Sequence, residues 1–456
     1  MPHSNGTNAL SGLDDLDRQM RAGTSPEGSV AGQMAISIVL PGVAAARRTP
    51  ALAGALFIVG VILPIAMAIR VYTGRDDLIG LALDPTFLLV VAALGLAAVI
   101  ARLFAIAEIA NAFRRAPGIG GQTAVATLLV LALGSPVLWV AYRASDARSV
   151  VSNVFASGDG ESIFVPSSSG SGADPDAVQT ILLLGGDAGP GRWGLRTDTM
   201  ILVTIHEQSG RTALISIPRN LTRVQFPPGT PMADEFPNGF DDLANAIFPY
   251  VSTHEDIRQA YASTGLLPEA VALSEALGYS LDVEIDDYAL VNMQGFTEVI
   301  DAVGGVTLEL AQSVPLPPSL PGERPLPASI GPGFVEMDGA MDIAYARSRS
   351  ADSDYQRMGR QRQLLAALGS QVTAAEAISG FGKVTGVLDD SMRTSLSSNE
   401  FSSLLDRLGD NAAIQESVGL IPPLIEPGSP DYPVIQQIVD GVQVAVVNGV
   451  PSGYAS

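Results

Sequence analysis

Five arginines crowd the stretch Arg347-Ser348-Arg349 … Arg357-Met358-Gly359-Arg360-Gln361-Arg362, in a chain whose formal net charge is -21. Guanidinium is planar, permanently charged and able to hold two phosphate oxygens at once. Such a cluster on an acidic background points to a phosphate-rich ligand. Upstream, Asp187 and Asp198 flank the glycine-rich stretch Gly189-Pro190-Gly191-Arg192-Trp193-Gly194, and Arg196 lies between them. Two carboxylates on an open loop suit a hard divalent cation such as Mg2+ (or Mn2+), which takes oxygen ligands and keeps waters for a phosphate. The competing reading is an ordinary turn or cap aspartate at a strand end.

Within the cluster, Asp354, Arg357 and Gln361 fall at i, i+3, i+7, one face of a helix. Arg347 and Arg349 are read as an i, i+2 pair in an extended segment, with both side chains on one side. Arg360 and Arg362 fall away from that face. They read either as outlying members of the cluster or as a solvated helix surface with internal Asp–Arg pairs.

Other chemistries have little to build on. There are no cysteines, which removes disulfides, thiolate nucleophiles and cysteine metal sites. The histidines are His3, His206 and His254, none beside a nucleophile or a second ligand. His206 reads as an exposed hairpin residue. No Gly-x-x-x-x-Gly-Lys-[Ser/Thr] loop exists, so a P-loop NTPase is excluded.

The elements that must position these residues are legible in outline. Ile181–Leu184 is a short apolar run that ends at Gly185-Gly186, as a buried strand ends at a loop. Met200–Ile205 and Arg211–Ile217 are β-branched runs separated by Glu207-Gln208-Ser209-Gly210, the pattern of a hairpin. Helices are expected near 257–262 and 267–277, a strand at Tyr288–Val291, a helix over Met293–Val303 closed by Gly304-Gly305, and a strand over Val306–Leu310. A short helix is expected over Asp338–Tyr345 and a last strand over Val442–Val447. Mixed strands and helices imply an α/β domain around one central sheet.

Hydrophobic residues make up 47% of the chain, and the excess lies near the N-terminus. Three apolar stretches, about 51–69, 87–106 and 123–142, each have the ~20 residues that cross ~30 Å of hydrocarbon. Pro64 is expected to kink the first. Arg47-Arg48 and Arg114-Arg115 place the N-terminus and the second loop in the cytoplasm under the positive-inside rule. The C-terminal domain is then extracytoplasmic; Arg143 and Arg148 oppose this mildly. The expected organisation is a disordered cytoplasmic segment 1–45, a multi-pass membrane part 46–144, a Ser/Gly-rich linker 145–176, a catalytic domain 177–390 and its C-terminal part 391–456. Residues 1–150 carry a net charge of +2 and the remainder -23, so binding to nucleic acid over a broad surface is not expected.

The ordered set Leu183-Leu184-Gly185-Gly186-Asp187, Arg196-Thr197-Asp198-Thr199, Ser216-Ile217-Pro218-Arg219, Asn245-Ala246, Asp338-Gly339 … Tyr345 and Arg347-Ser348-Arg349 … Asp354 to Arg362 resembles the LytR-CpsA-Psr family over about residues 177–375. Each motif alone is ordinary, and the order is specific. The resemblance implies a three-layer α/β/α sandwich with a central mixed sheet and an apolar pocket for a lipid tail. It implies a membrane-anchored phosphotransferase that moves a glycopolymer from a polyprenyl-pyrophosphate carrier onto peptidoglycan. Its implied metal ligands for Mg2+ are Asp187 and Asp198. Its implied pyrophosphate clamp is Arg196, Arg219, Arg347, Arg349 and Arg357, with Asp354 and Gln361 beside them. Catalytic roles would fall to Asp198, Arg219, Arg347 and Arg349. Asn220 departs from the family, which has Asp after Pro-Arg, and three spans precede the domain where one is common. A non-catalytic carrier-binding envelope regulator would use the same pocket. A cation-sensing membrane protein would leave the arginines unexplained. The glycopolymer (arabinogalactan, teichoic acid or capsule) is left open.

Overall fold

A computed structural model describes residues 26–42, 50–73, 78–115, 118–155, 162–166, 177–186, 197–318, 324–348, 354–371, 391–408 and 414–455. The chain divides into two compact units, Met1–Arg148 and Ser149–Ser456.

The N-terminal part of the chain forms helix α1 (Pro26–Val39) and three helices long and apolar enough to cross a membrane: α2 (Pro50–Thr73), α3 (Pro85–Ala112) and α4 (Ile119–Val154). Asp84 starts α3 by accepting the Thr86 and Phe87 amides at 2.8 and 3.1 Å, ahead of a proline in the first turn. A Cβ on Gly95 would come within 3.0 Å of the Ala141 Cβ, and one on Gly134 within 3.0 Å of a Val99 methyl. The two glycines let α3 and α4 approach closely, the usual packing device between helices in lipid. The expected kink at Pro64 is met by a π turn, Ile58–Ile62, which loosens the backbone that the proline ring crowds.

Two boundary expectations fail here. Residues 26–39 are helical rather than disordered, because Val30 and Met34, one turn apart, pack with Val99, Ile106 and Ile109 of α3. The third span was expected to end near residue 142, with a linker from 145. Instead α4 runs to Val154, carried on by buried Val150, Val151 and Val154. Phe164 then bridges to Ile285 within the second unit.

The second unit is built on a six-stranded mixed sheet. Its strands are β1 (Val178–Gly186), β2 (Thr197–His206), β3 (Thr212–Ser216), β4 (Asp287–Asn292), β9 (Met392–Thr394) and β10 (Ile414–Gly419), in the order β10-β3-β2-β1-β4-β9. β1 to β3 form an antiparallel meander, with Leu182 opposite Leu202 and Val203 opposite Leu214. β4 runs parallel to β1 and β10 parallel to β3. Alternation along β1 divides the layers. Leu182 and Leu184 face a core completed by α5 (Pro268–Leu281) and by the C-terminal helix Tyr432–Asn448. Ile181 and Leu183 face the opposite layer, where Leu404 of helix Ser398–Leu408 packs. Helices therefore cover both faces, giving an α/β/α sandwich around a mixed sheet.

After β4 come α6 (Met293–Val303) and the ribbon β5 (Val306–Leu310) with β8 (Gly333–Met337). The short pair β6 (Val314–Pro315) and β7 (Ser329–Ile330) lies between them in sequence. α7 (Gly339–Arg347) and α8 (Asp354–Gln371) follow. Ile300, Leu308, Met337, Tyr345 and Leu364 join these parts in a second core.

The expected last strand is wrong. Val442–Val447 belongs to the helix Tyr432–Asn448, closed by Gly449 at φ 68°. The β-branched content suggested a strand, but Ile435, Ile438, Val439, Val442, Ala445 and Val446 are buried at helical spacing.

Candidate functional site

The end of β1 and the start of β2 form the rim of a cavity of about 320 Å³. Its floor is the sheet face of Leu183, Ile201 and Ala289, and its far wall is Phe296 of α6, Ile343 of α7 and Leu364 of α8. Asp198, Arg347, Arg357 and Gln361 line the cavity, together with the polar residues Thr199 and Asn292. Gly185 opposes Thr199 across the β1–β2 pair; a Cβ there would press within 2.8 Å of the Thr199 Cβ. Only glycine lets the strands close at this rim.

Beside the cavity, carboxylates and guanidiniums alternate. Asp198 Oδ1 accepts from Arg219 Nη1 at 2.9 Å and from Asn245 Nδ2 at 3.0 Å. Arg219 Nε donates to Asp354 Oδ2 at 3.1 Å, so one guanidinium bridges two carboxylates far apart in sequence. Arg357, 4% exposed, donates to the Asp198 carbonyl at 3.1 Å and to Asp354 Oδ2 at 3.3 Å, and its Nη1 lies 3.7 Å from Asp198 Oδ2. Burial alone would raise the Asp198 pKa. Arg219 through its hydrogen bond and charge, Arg357 through its charge and Asn245 through its amide outweigh burial and hold it below the usual carboxylate range. Arg219 is held correspondingly upward: burial lowers it, and Asp198 and Asp354 overcome that.

Local sequence explains the placement. Arg219 follows the last residues of β3 in the turn Pro218–Leu221, where the Leu221 amide donates to the Pro218 carbonyl. Asn245 sits in the 3-10 turn Ala244–Ala246, and its backbone amide reaches the Arg219 carbonyl at 3.2 Å. Asp354 and Arg357 are one turn apart on α8, the i, i+3 relation expected, and Gln361 follows on the same face to line the cavity.

Of the residues expected at the site, Asp198, Arg219, Arg347, Asp354, Arg357 and Gln361 are brought together. Asp187, Arg196 and Arg349 lie outside the described residues. Three readings need correction. Arg347 is the last residue of helix α7, not part of an extended segment, because Asp338 caps a helix that runs through it. Arg360 and Arg362 are not a solvated surface; they are 8% and 4% exposed. Arg360 donates to the Ser348 carbonyl, and Arg362 Nε to Ser417 Oγ of β10 at 2.9 Å. His206 is buried, with its Nδ1 2.7 Å from Ser209 Oγ.

The sequence reading gave Asn245 no role. Its signal was a polar residue in the apolar run Leu243-Ala244-Asn245-Ala246-Ile247, and the structure buries it to 1%. The Asn220 amide stands where a carboxylate was expected from the family, and its Oδ1 is buried without a hydrogen-bond partner among the described residues.

A divalent cation can be tested only against the oxygens present. Asp198 is ionised and turned to the cavity, while no group of three metal-ligating side chains exists among the described residues. An ion of the Mg2+ kind is commonly held by one or two carboxylates and by substrate phosphates, and Asp198 is the one of the two expected carboxylates that lies among the described residues, at the cavity.

The fold and the cleft define a class: an α/β/α domain with an arginine–carboxylate network over an apolar cavity, in a chain with candidate membrane spans. Residues 150–418 match the LytR_cpsA_psr family, and the chain belongs to that family. Biofilm regulatory protein A of Streptococcus mutans is 29% identical over 252 residues, which cover 53% of this chain and 56% of that protein. The polyisoprenyl-teichoic acid–peptidoglycan teichoic acid transferase TagU of Oceanobacillus iheyensis is 31% identical over 234 residues, 51% of this chain and 63% of TagU. The chain thus spans roughly six-tenths of these relatives' length. The crystal structure of B. subtilis TagV aligns at 22% identity over 60% of this chain and 99% of that chain, with a TM-score of 0.42.

Proposed function

We propose that this protein is a membrane-anchored phosphotransferase of the cell envelope. It moves a phosphate-linked glycopolymer from a polyprenyl-pyrophosphate carrier to a peptidoglycan sugar hydroxyl. The observation that carries the reading is the junction of two chemistries in one cavity: Arg347, Arg357 and Asp198 border walls of Leu, Ile and Phe. That is the complement of an amphiphile with a phosphate head and an apolar tail. The TagU name adds support, since it describes transfer of a polyisoprenyl-linked polymer to peptidoglycan.

In the reaction, the acceptor hydroxyl oxygen attacks the phosphorus that bears the glycopolymer. The bridging P–O bond to the carrier breaks, polyprenyl phosphate leaves with the electron pair, and the hydroxyl proton passes to a base. The arginines hold the phosphoryl oxygens and offset the charge that gathers on them and on the leaving phosphate. Asp198 is ionised and can accept a proton or hold a cation. Mg2+ or Mn2+, held by Asp198 and Asp187, would neutralise phosphate charge and polarise the P–O bond. Arg219 and Asn245 orient Asp198, and the apolar walls exclude water from the carrier side.

The three spans serve as the anchor. Arginines at 47, 48, 114 and 115 favour a cytoplasmic N-terminus and an extracytoplasmic second unit, the side on which peptidoglycan is assembled.

The test uses the full-length protein in proteoliposomes with a lipid-linked glycopolymer and peptidoglycan, reading release of polyprenyl phosphate. Turnover is expected for the wild type and a loss of about 100-fold or more for Arg347→Ala and Asp198→Asn. Undiminished turnover in both folded variants overturns the assignment. Tight carrier binding with no turnover in the wild type supports the regulator reading instead.

A further inference from the structure

Two arginines of the cluster, Arg360 and Arg362, are not among the residues lining the cavity, and the structure gives them partners elsewhere. We propose that Arg360, acting with Ser348, is a positioning residue that fixes Arg347 at the mouth of the cavity. The inference rests on the carrier-binding reading of that cavity and extends it to residues that do not touch the carrier.

Arg347 ends α7, and a helix end frays unless its neighbours are held. Ser348, the next residue, is 1% exposed and held at three points. Its amide donates to the Tyr345 carbonyl at 3.2 Å. Its hydroxyl donates to the Pro315 carbonyl of β6. Its carbonyl accepts from Arg360 Nη2 of α8. The Arg360 guanidinium lies over the Tyr345 ring at 5.9 Å from the centroid, and the Tyr345 hydroxyl donates to Gln363 Oε1 at 2.8 Å. One turn of α8 thus grips the last turn of α7 from ring, carbonyl and hydroxyl. A charged donor makes the carbonyl bond about twice as strong as a neutral one. The planar guanidinium can stack and donate at once, which an ammonium does less well.

The geometry separates this role from plain stability. Arg362, two residues on, is also buried, but its Nε donates to Ser417 on β10. Losing Arg362 should loosen the attachment of α8 to the sheet. Losing Arg360 should let Arg347 move, and a displacement of about 1 Å at a binding group can cost up to 100-fold.

The experiment measures binding of farnesyl pyrophosphate, a soluble carrier probe, to the full-length protein in detergent by calorimetry, with a melting curve for every variant. Arg360→Gln is expected to weaken binding at least tenfold, with Arg360→Lys recovering part of the loss. Arg362→Gln is expected to lower the melting temperature without changing affinity. Because Arg360 acts through Arg347, the double variant Arg347→Ala/Arg360→Gln should bind no more weakly than Arg347→Ala alone. Wild-type affinity in folded Arg360→Gln overturns the proposal, as does a multiplicative loss in the double variant. If Arg360→Gln does not fold, Arg360→Lys takes its place, since an ammonium lacks the planar fork that both stacks on Tyr345 and donates to the Ser348 carbonyl: a severalfold loss supports the brace and unchanged affinity overturns it. A wild type that does not bind the probe removes the carrier reading itself, and the brace with it.

Discussion

Arg219 is the residue on which the cleft turns, and its removal gives a number that can be checked. Its guanidinium spans Asp198 at 2.9 Å and Asp354 at 3.1 Å, with side-chain exposures of 30%, 20% and 27% for the three residues. Charge-assisted hydrogen bonds contribute about 1.5–3 kcal/mol each when well shielded. Water reaches all three side chains, so the pair together is worth only ~1–2 kcal/mol. Arg219→Ala should therefore lower the melting temperature by a few degrees. It leaves Asp198 with Arg357 and Asn245 and leaves Asp354 with Arg357, and with it goes part of what holds the Asp198 pKa down. A depressed carboxylate stabilises the fold above its unfolded pKa, and that stability is lost as pH falls through the folded value. In Arg219→Ala the Asp198 value moves up, so less stability remains to be lost on acidification. Phosphoryl transfer should fall by about 2–4 kcal/mol of transition-state stabilisation, roughly 30- to 1000-fold, by analogy with loss of an oxyanion donor. Arg219→Lys should recover the charge but not the bridge, since one ammonium does not present the two-sided fork. Melting curves at several pH values, together with carrier turnover in proteoliposomes, read both effects. A variant that melts like the wild type and turns over at the wild-type rate would refute the bridging argument.

Other expectations follow from the same geometry. Gly185→Val forces a side chain against Thr199 at the cavity rim, and should reduce carrier affinity and lower the melting temperature together; an unchanged affinity by calorimetry would contradict the rim assignment. Burial first, then Asp338 and Asp301, push the Asp342 carboxyl up to about 8. Asp342 is fully buried, and neither carboxyl oxygen has a hydrogen-bond partner among the described residues. A carboxyl raised on folding costs stability as pH climbs from the ordinary carboxylate range toward 8. Asp342→Asn should thus gain melting temperature relative to the wild type at pH 8 more than at pH 5; an equal difference at the two pH values would sink this account. Stripping divalent ions with a chelator should stop turnover, and Mg2+ or Mn2+ should restore it. Full activity in excess chelator would remove the metal from the mechanism.

Much of the site was legible as chemistry before it was legible as geometry. The i, i+3, i+7 spacing of Asp354, Arg357 and Gln361 gave one helix face, and α8 presents it to the cleft. The glycine-closed helix over 293–303 and the hairpin around 207–210 were also readable, because each depends on local periodicity and turn chemistry. The misreadings have a common cause. Arg360, Arg362 and His206 carry polar groups, and polarity alone suggests solvent. Arg360 and Arg362 are held by Ser348 and Ser417, on other elements, and the Arg211 that approaches His206 is itself tied to the Val446 carbonyl of the C-terminal helix. The segment 442–447 failed for a related reason. β-branched residues favour strands locally, yet their helical spacing was matched to a core that only the assembled sheet supplies.

The sequence by itself determined which chemistry was available: arginines and two aspartates for phosphate and a hard cation, no thiols, and apolar helices of membrane-crossing length. Those are properties of residue type and short-range order. Only the tertiary structure decided which arginines share the cleft. Arg219 and Asp354 are separated by more than a hundred residues and meet at 3.1 Å because the fold brings the turn after β3 to the first turn of α8. Arg357 and Arg360 are three residues apart on α8, close enough to be neighbours on the helix surface, yet Arg357 reaches Asp198 and Asp354 while Arg360 reaches the Ser348 carbonyl. Burial, pairing and pKa depend on what surrounds a group in space, and long-range contacts set them.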